Sequence, residues 1–257
     1  MARPPWCTFI LALPLAFAQE KPSRLAFDVI SIKPAKPGGR GGGIKAMPGG
    51  QEYNAQNASV KMMISLMYKV PMWQIKGGPA WIESDGFDVE AKADHSYNLD
   101  DLHAMFRNLL ADEFKLRFHR ETREGPVYAL SVDKGGSKMK VNDSPQDFKI
   151  PIQPGPDRTF VATRVPMEYF AWFLSQLLQR EQRSVIDQTG LTGTYDFTLA
   201  FLPDLQPGIE KENLPPALLD RPSLFDALKQ QLGLKLEAKK GPVDYFVIDS
   251  AERPAEN

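Results

Sequence analysis

Apolar side chains recur in four places along this chain at the three- and four-residue spacing of amphipathic helices. The four stripes begin at Val60, Leu102, Met167 and Leu224. Each stripe follows a Ser, Asn or Pro residue, and these residues either cap the first amide groups of a helix or suit its first turn. The pattern predicts helices over residues 60–68, 99–112, 167–179 and 223–232.

Between the helical stripes, apolar and polar residues alternate with the period of two that is typical of β-strands. Phe87, Val89 and Ala91 share one face of such a segment, and charged side chains occupy the other face. Strands of this kind indicate antiparallel sheets that are covered by helices on one side only. The expected fold class is therefore α+β, with amphipathic helices packed on one face of an antiparallel sheet.

The second half of the chain repeats the pattern of the first. The segment Leu116–Asp133 has a counterpart in Leu234–Asp249, and each carries a Gly-Pro pair, at Gly125 and at Gly241. We interpret each segment as a β-hairpin that turns at its Gly-Pro pair. The sequence thus predicts an internal duplication, with repeats over residues 19–145 and 146–252 that each contain one sheet and two helices. Chance similarity between alternating strands is the alternative.

Residues 1–18 have the layout of a secretory signal peptide. A basic residue precedes a short apolar run, and Ala16 and Ala18 supply the small residues that signal peptidase accepts. The run is too short to span a bilayer, and no later segment is apolar enough to do so. We expect the protein to be exported to the periplasm or the medium, with a mature chain that begins near Gln19 and ends in a flexible tail at residues 253–257.

Composition removes several classes of function. The chain has one cysteine, Cys7, which lies in the predicted signal, so the mature chain is expected to have no disulfide, thiolate nucleophile or cysteine metal site. Its 31 basic and 32 acidic residues give a net charge of −1, without the clustered positive charge that nucleic-acid binding requires.

Candidate catalytic and metal-binding residues are few. His95, His103 and His119 do not stand at metal-ligand spacing, and the aspartates near the first two are typical helix caps. The sequence therefore predicts no metal and no cofactor, and it predicts that all three histidines are dispensable for stability. No Gly-x-Ser-x-Gly motif is present, whereas paired acids for glycoside cleavage stay possible because the fold sets their spacing.

The loop from Met72 to Trp81 offers the one candidate binding surface. It places Trp73 and Trp81 around a glycine turn with Lys76 between them, and large aromatic side chains on loops are common in ligand and peptide grooves. In the alternative interpretation, which we favour, both rings cover the apolar edge of a sheet, because tryptophans are usually mostly buried.

The chain resembles a known family in the order of its motifs, which are FDVISIKP, VPMWQIKGGPAWIESDGFDVEAKA, RNLLADEFKLRFHRETREGPVYALSV and SVIDQTGLTGTYDFTLAF. This family comprises uncharacterised exported proteins that are expanded in soil bacteria, and the resemblance implies no activity, cofactor or catalytic residue. Some relatives look like C-terminal extensions of membrane metallopeptidase sensors. The helix and strand pattern is also similar to the short N-terminal domains of secretins and TonB-dependent receptors, which bind partners.

These observations favour an exported, non-catalytic binding or sensing module over an enzyme. Its partner could be a protein, a peptide or a small molecule. The alternative is an extracytoplasmic hydrolase that acts on cell-wall or plant polymers.

Overall fold

The computed structural model describes residues 24–36, 42–203 and 215–255. The predicted signal peptide lies outside these residues. The described chain is a mixed α+β fold whose strands are β1 (Val29–Pro34), β2 (Gly43–Ala46), β3 (Glu52–Ser59), β4 (Ile75–Gly77), β5 (Gly86–Lys92), β6 (Arg117–Val132), β7 (Lys140–Val141), β8 (Ile152–Pro154), β9 (Phe160–Pro166), β10 (Ser184–Asp187), β11 (Thr194–Leu199) and β12 (Leu234–Ser250).

The helices are α1 (Val60–Tyr68), α2 (Trp81–Ser84), α3 (Leu99–Glu113), α4 (Met167–Leu177), α5 (Pro216–Leu219) and α6 (Leu224–Ala227). Three of the predicted helices correspond to α1, α3 and α4, and the fourth begins as α6 and continues as a π-helical turn over Leu228–Leu232. Side chains cap three of the helix starts as expected: Ser59, Asn98 and Ser223 accept backbone N–H bonds from the first turns of α1, α3 and α6.

Two outer sheets are purely antiparallel, with the strand orders β1-β5-β3-β2 and β7-β11-β9-β8. When the strands of each sheet are numbered along the chain, both sheets have the order 1-4-3-2. In each sheet the third strand leads directly into a long helix, β3 into α1 and β9 into α4. A shared order is what a duplication would produce, and common origin of the two halves stays a prediction.

A third, mixed sheet joins the two halves, in the order β10-β6-β12-β4. Its centre is the long antiparallel pair of β6 and β12, which runs from Leu234 opposite Val132 to Ser250 opposite Arg117. The short strand β10 adds in parallel to β6, and β4 adds in parallel to β12. Each long strand is therefore paired, on the side away from the other long strand, with a short strand from the other half of the chain.

The predicted hairpins at the Gly-Pro pairs are wrong. Both segments run straight through as single strands, and Gly125 lies directly opposite Gly241. Proline fits inside such a strand where the strand has a neighbour on one side only, because its missing N–H then leaves no ladder bond unmade. Pro126 comes just before the pairing with β10 begins, and Pro242 comes before the pairing with β4 begins.

Each strand of this central pair contributes side chains to the hydrophobic core of the other half. The end of β12 places Phe246 and Ile248 in the core formed by α1, α3 and the first outer sheet. The end of β6 places Leu130 in the core formed by α4 and the second outer sheet. Neither core is thus built from one half of the sequence alone, and the surface where the halves meet is fixed by the packing of both.

Candidate functional site

A cleft lies where the end of α1 and the start of α3 face α4. It consists of two adjoining cavities of about 570 and 720 Å³, which share a wall formed by Lys69, Asp100, His103, Pro166 and Tyr169. We call this the Lys69 cleft. A proline-containing loop over residues 144–156 borders the first cavity, and Val70, Gln74, Trp172 and Ser184 border the second.

Lys69 reaches the cleft because it ends α1 in a left-handed backbone conformation, with φ 53° and ψ 45°. Its own N–H closes the helix on the carbonyl of Ser65. This position normally favours glycine or asparagine, and another residue there costs about 1 kcal/mol or more. The side-chain ammonium then turns back over the helix end, where it donates to the carbonyl oxygen of Leu66 at 2.8 Å.

A buried histidine supports the lysine. His103 lies on α3 with only 3% of its surface exposed, and its Nδ1 is 3.2 Å from Nζ of Lys69. Because an ammonium group can only donate, we assign Nδ1 as the acceptor and place the ring proton on Nε2. Nε2 then donates to the hydroxyl of Tyr53 on β3, at 2.8 Å.

His103 is neutral. Burial, reinforced by the charges of Lys69 and Arg107, lowers the pKa of His103 to about 2. Burial also raises the pKa of the Tyr53 hydroxyl, so it keeps its proton. Lys69, His103 and Tyr53 therefore form a buried hydrogen-bonded line in which only the lysine changes charge near neutral pH.

The lysine ammonium is partly withdrawn from water, which disfavours its charge. Burial lowers the pKa of Lys69 from 10.5 to about 8, the carboxylate of Asp100 opposes this lowering, and the charge of Arg107 adds to it. The rings of Tyr169 and Trp172, each centred 5.2 Å from Nζ, attract the ammonium cation. This attraction also opposes the lowering of the pKa. Burial has the largest influence on this pKa, so Lys69 loses its proton at a lower pH than an ordinary lysine does.

Two buried donors that border the cleft lack hydrogen-bond partners among the described residues. They are Nε1 of Trp172, on the second cavity, and Nε of Arg164, on the first. Nζ of Lys69 adds a third donor, since its two hydrogen bonds leave one N–H without a protein acceptor in the described chain. Buried polar groups are normally satisfied, so the unpaired N–H groups of Trp172 and Arg164 need an explanation.

Hydrogen bonds between buried side chains hold the far wall of the cleft in place. Gln74 donates from Nε2 to Oγ of Ser184 at 2.6 Å, which ties the loop after α1 to β10. Oγ of Ser175 on α4 accepts from the backbone N–H of Val185 at 2.8 Å and donates to the carbonyl of Ala171. The first of these contacts crosses between the halves of the chain, and the bond from Val185 ties α4 to β10 within the second half.

The three residues predicted to bind a partner lie elsewhere. Trp73 is half-buried edge-on against Tyr245, at 6.3 Å between ring centres, and the exposed Lys76 lies over the same ring at 5.9 Å. Trp81 packs on Phe87 at 6.0 Å. These residues are all in the described chain, and none of them borders the Lys69 cleft. Gln74 is the part of their loop that does.

The sequence predicts that all three histidines are dispensable for stability, and the burial of His103 makes it the one that does not fit the surface position from which this was argued. His95 and His119 are indeed exposed and pair with carboxylates, at 2.7 Å from Asp94 and 2.8 Å from Asp249. His103 differs because it falls on the buried stripe of α3. Within the described ranges, no group of three or more His, Cys, Asp or Glu side chains is arranged to hold a metal ion.

The periodicity of α3 could have identified His103. The buried positions Leu99, Phe106 and Leu110 stand four residues before, three after and seven after it, so the stripe itself places a polar ring in the core. Nothing comparable marks Lys69, Arg164 or Trp172. They border one cleft only because the two halves of the chain pack against each other.

The chain belongs to the family described as "Protein of unknown function (DUF3738)", whose model matches residues 61–251, more than half of the chain. The matched region contains Lys69, His103, Arg164 and Trp172. No curated protein and no solved structure matches the chain. Among the helices of the described residues, none is long and apolar enough to cross a membrane.

Proposed function

We propose that this protein is an exported binding module that holds a small organic molecule in the Lys69 cleft. The observation that carries this proposal is that one cleft between the halves of the fold is bordered by the Lys69 ammonium and by two residues, Arg164 and Trp172, that each carry a buried N–H without a partner among the described residues. A ligand with oxygen acceptors, such as a carboxylate or a carbonyl compound, would satisfy them.

Energy and size both support such a ligand. Each buried donor without a partner costs about 1–3 kcal/mol, and a ligand oxygen that pairs with it removes that cost. The two cavities, of about 570 and 720 Å³, are in the usual range for sites that take small molecules. The rings of Tyr169 and Trp172 supply apolar surface beside the donors.

Export and sensing are part of the same proposal. The signal-like sequence at residues 1–18 and the motif resemblance to exported proteins favour a role outside the cytoplasm. No arrangement of the described residues specifically favours hydrolysis, so the proposal is limited to binding. The similarity of the helix and strand units to partner-binding domains leaves a protein or peptide as a second kind of occupant for other surfaces.

The loop with Trp73, Lys76 and Trp81 is the second candidate surface. Its exposed part is Lys76, which shares the ring of Tyr245 with the guanidinium of Arg123, 5.2 Å from the ring centre. A cationic patch around an aromatic ring suits an acidic peptide, and it is distinct from the Lys69 cleft.

A fluorimetric melting assay tests the cleft with acetate, benzoate, pyruvate, acetone and inorganic phosphate as probes. Trp172→Phe removes the indole N–H and keeps an aromatic ring. Trp73→Phe is the matched control, because Nε1 of Trp73 is also buried without a partner but lies outside the cleft. We expect at least one probe to raise the melting temperature of the parent protein, with Kd about tenfold weaker in Trp172→Phe and unchanged in Trp73→Phe.

Three outcomes would contradict the cleft proposal. Absence of stabilisation by every probe would remove its support, and equal weakening by both substitutions would show that the indole of Trp172 has no special role. Weakening by Trp73→Phe alone would move the site to the loop.

A further inference from the structure

The amine of Lys69 is placed as a nucleophile would be. It lies in the shared wall of two cavities that small molecules can enter, and it is held by Leu66 O and by Nδ1 of His103. Two hydrogen bonds fix its direction, so it does not sample the many rotamers of a surface lysine. The rings of Tyr169 and Trp172 flank the amine, with each ring centre 5.2 Å from Nζ.

We propose that Lys69 is a reactive amine that condenses reversibly with an aldehyde or ketone bound in the cleft. The lone pair of Nζ forms a bond to the carbonyl carbon while the carbonyl oxygen takes up a proton, which gives a carbinolamine. Loss of that oxygen as water then gives the imine. One carbonyl compound and one amine yield one imine and one water, with no oxidation or reduction.

The neighbours of the amine suit this step. The ring of Trp172 that flanks Nζ carries an unpaired N–H, and a turn of the ring would direct it to the carbonyl oxygen as negative charge develops there. His103 Nδ1 is an acceptor that stays unprotonated and cannot add a competing positive charge. Lysines that act as nucleophiles are typically desolvated or placed beside another cation, and Lys69 has both features, with Arg107 as the cation.

Protonation of Lys69 supports the same conclusion. A lysine with its pKa near 8 has a neutral fraction at about pH 7.5 that is roughly two orders of magnitude above that of an ordinary lysine. The charged and titratable groups that border the cleft with it come from the elements packed there: Tyr68 on α1, Asp100, His103 and Arg107 on α3, Glu168 and Tyr169 on α4, Arg120 on β6, Arg164 on β9, Asp187 on β10, Asp244 on β12, and Asp147 and Lys149 before β8. Of these, Asp100 favours the ammonium and Arg107 the free amine.

Benzaldehyde with cyanoborohydride tests the proposal on the parent protein, since reduction converts any imine into a stable benzyl-lysine that peptide mass spectrometry locates. Lys76 is the internal control, because it is exposed and also lies over an aromatic ring but is outside the cleft. At about pH 7.5 we expect Lys69 to be labelled at least about tenfold faster than Lys76.

The variants Lys69→Arg and Lys76→Arg complete the design. The first should abolish the fast labelling while retaining a cation in the cleft, and the second should leave it unchanged. Labelling of Lys69 at the rate of Lys76 or slower, on folded parent protein, would overturn the inference.

The inference rests on the proposed binding function in that the cleft must admit small molecules, and the two fail differently. Stabilisation by the melting-assay probes without fast labelling would retain the binding proposal and reject the imine. Fast labelling of Lys69 without stabilisation by any probe would retain the imine and reject ligand binding as the function.

Discussion

Replacing Lys69 by methionine should change how the stability of the protein depends on pH. The side chain stays unbranched, becomes one atom shorter and loses its amine, so the burial of an ammonium group is removed. In the parent protein the folded state releases the proton of Lys69 near pH 8, whereas the unfolded chain releases it near 10.5. Between these two values the unfolded state binds more protons, and stability must therefore rise with pH.

The size of this rise follows from the two pKa values. At about pH 7 both states are protonated and the contribution is close to zero. At about pH 9.5 the difference in proton binding contributes about 2 kcal/mol in favour of the folded parent protein. Burial also raises the pKa of Tyr53 and Tyr169, which lowers stability once unfolded tyrosines ionise near pH 10, but both proteins share this effect.

Urea unfolding of the parent protein and of Lys69→Met at about pH 7, 8, 9 and 9.5 measures the effect. The free-energy difference, parent minus variant, should rise by about 2 kcal/mol over this range. Lys76→Met is the control for loss of one lysine that lies outside the cleft. A flat difference would show that Lys69 is not perturbed, and a falling one would show that the flanking rings stabilise its charge more than burial destabilises it.

Three further predictions concern the fold and its processing. Gly233→Ala should lower the free energy of unfolding by at least about 2 kcal/mol more than Gly190→Ala does. Both glycines have φ +67°, but a Cβ at Gly233 would lie 2.0 Å from the carbonyl oxygen of Gly136. Equal losses of stability in urea unfolding would contradict this. Trp81→Ala should lower stability by about 2 kcal/mol or more, and normal melting with lost partner capture would instead assign the ring to binding. The secreted chain should begin after Ala18, and N-terminal sequencing that finds Met1 retained would refute export by cleavage.

Local pattern was sufficient for the helices and for the α+β class. The stripes that begin at Val60, Leu102 and Met167 lie on α1, α3 and α4, and the alternating residues of β5 have the expected buried and exposed faces. In these elements the side-chain period alone decides which face is covered, so tertiary structure agrees with the sequence.

The path of β6 and β12 could not be predicted in the same way. A Gly-Pro pair between alternating residues fits a turn and also fits the middle of a long strand with one neighbour. The choice depends on a partner strand more than a hundred residues away, because Gly125 pairs with Gly241. Local sequence contains no information on that register, and the turn was the wrong choice.

The Lys69 cleft shows the same limit at the level of chemistry. Its donors come from the end of α1, from β9 and from α4, and only the packing between the halves brings Lys69, Arg164 and Trp172 to one place. Lys69 also works against stability twice, through its left-handed backbone and through its buried charge. Glycine at this helix end would remove both costs. Backbone strain and a buried charge at one residue are typical of functional sites, which is why Lys69 is the first position to change in testing this protein's function.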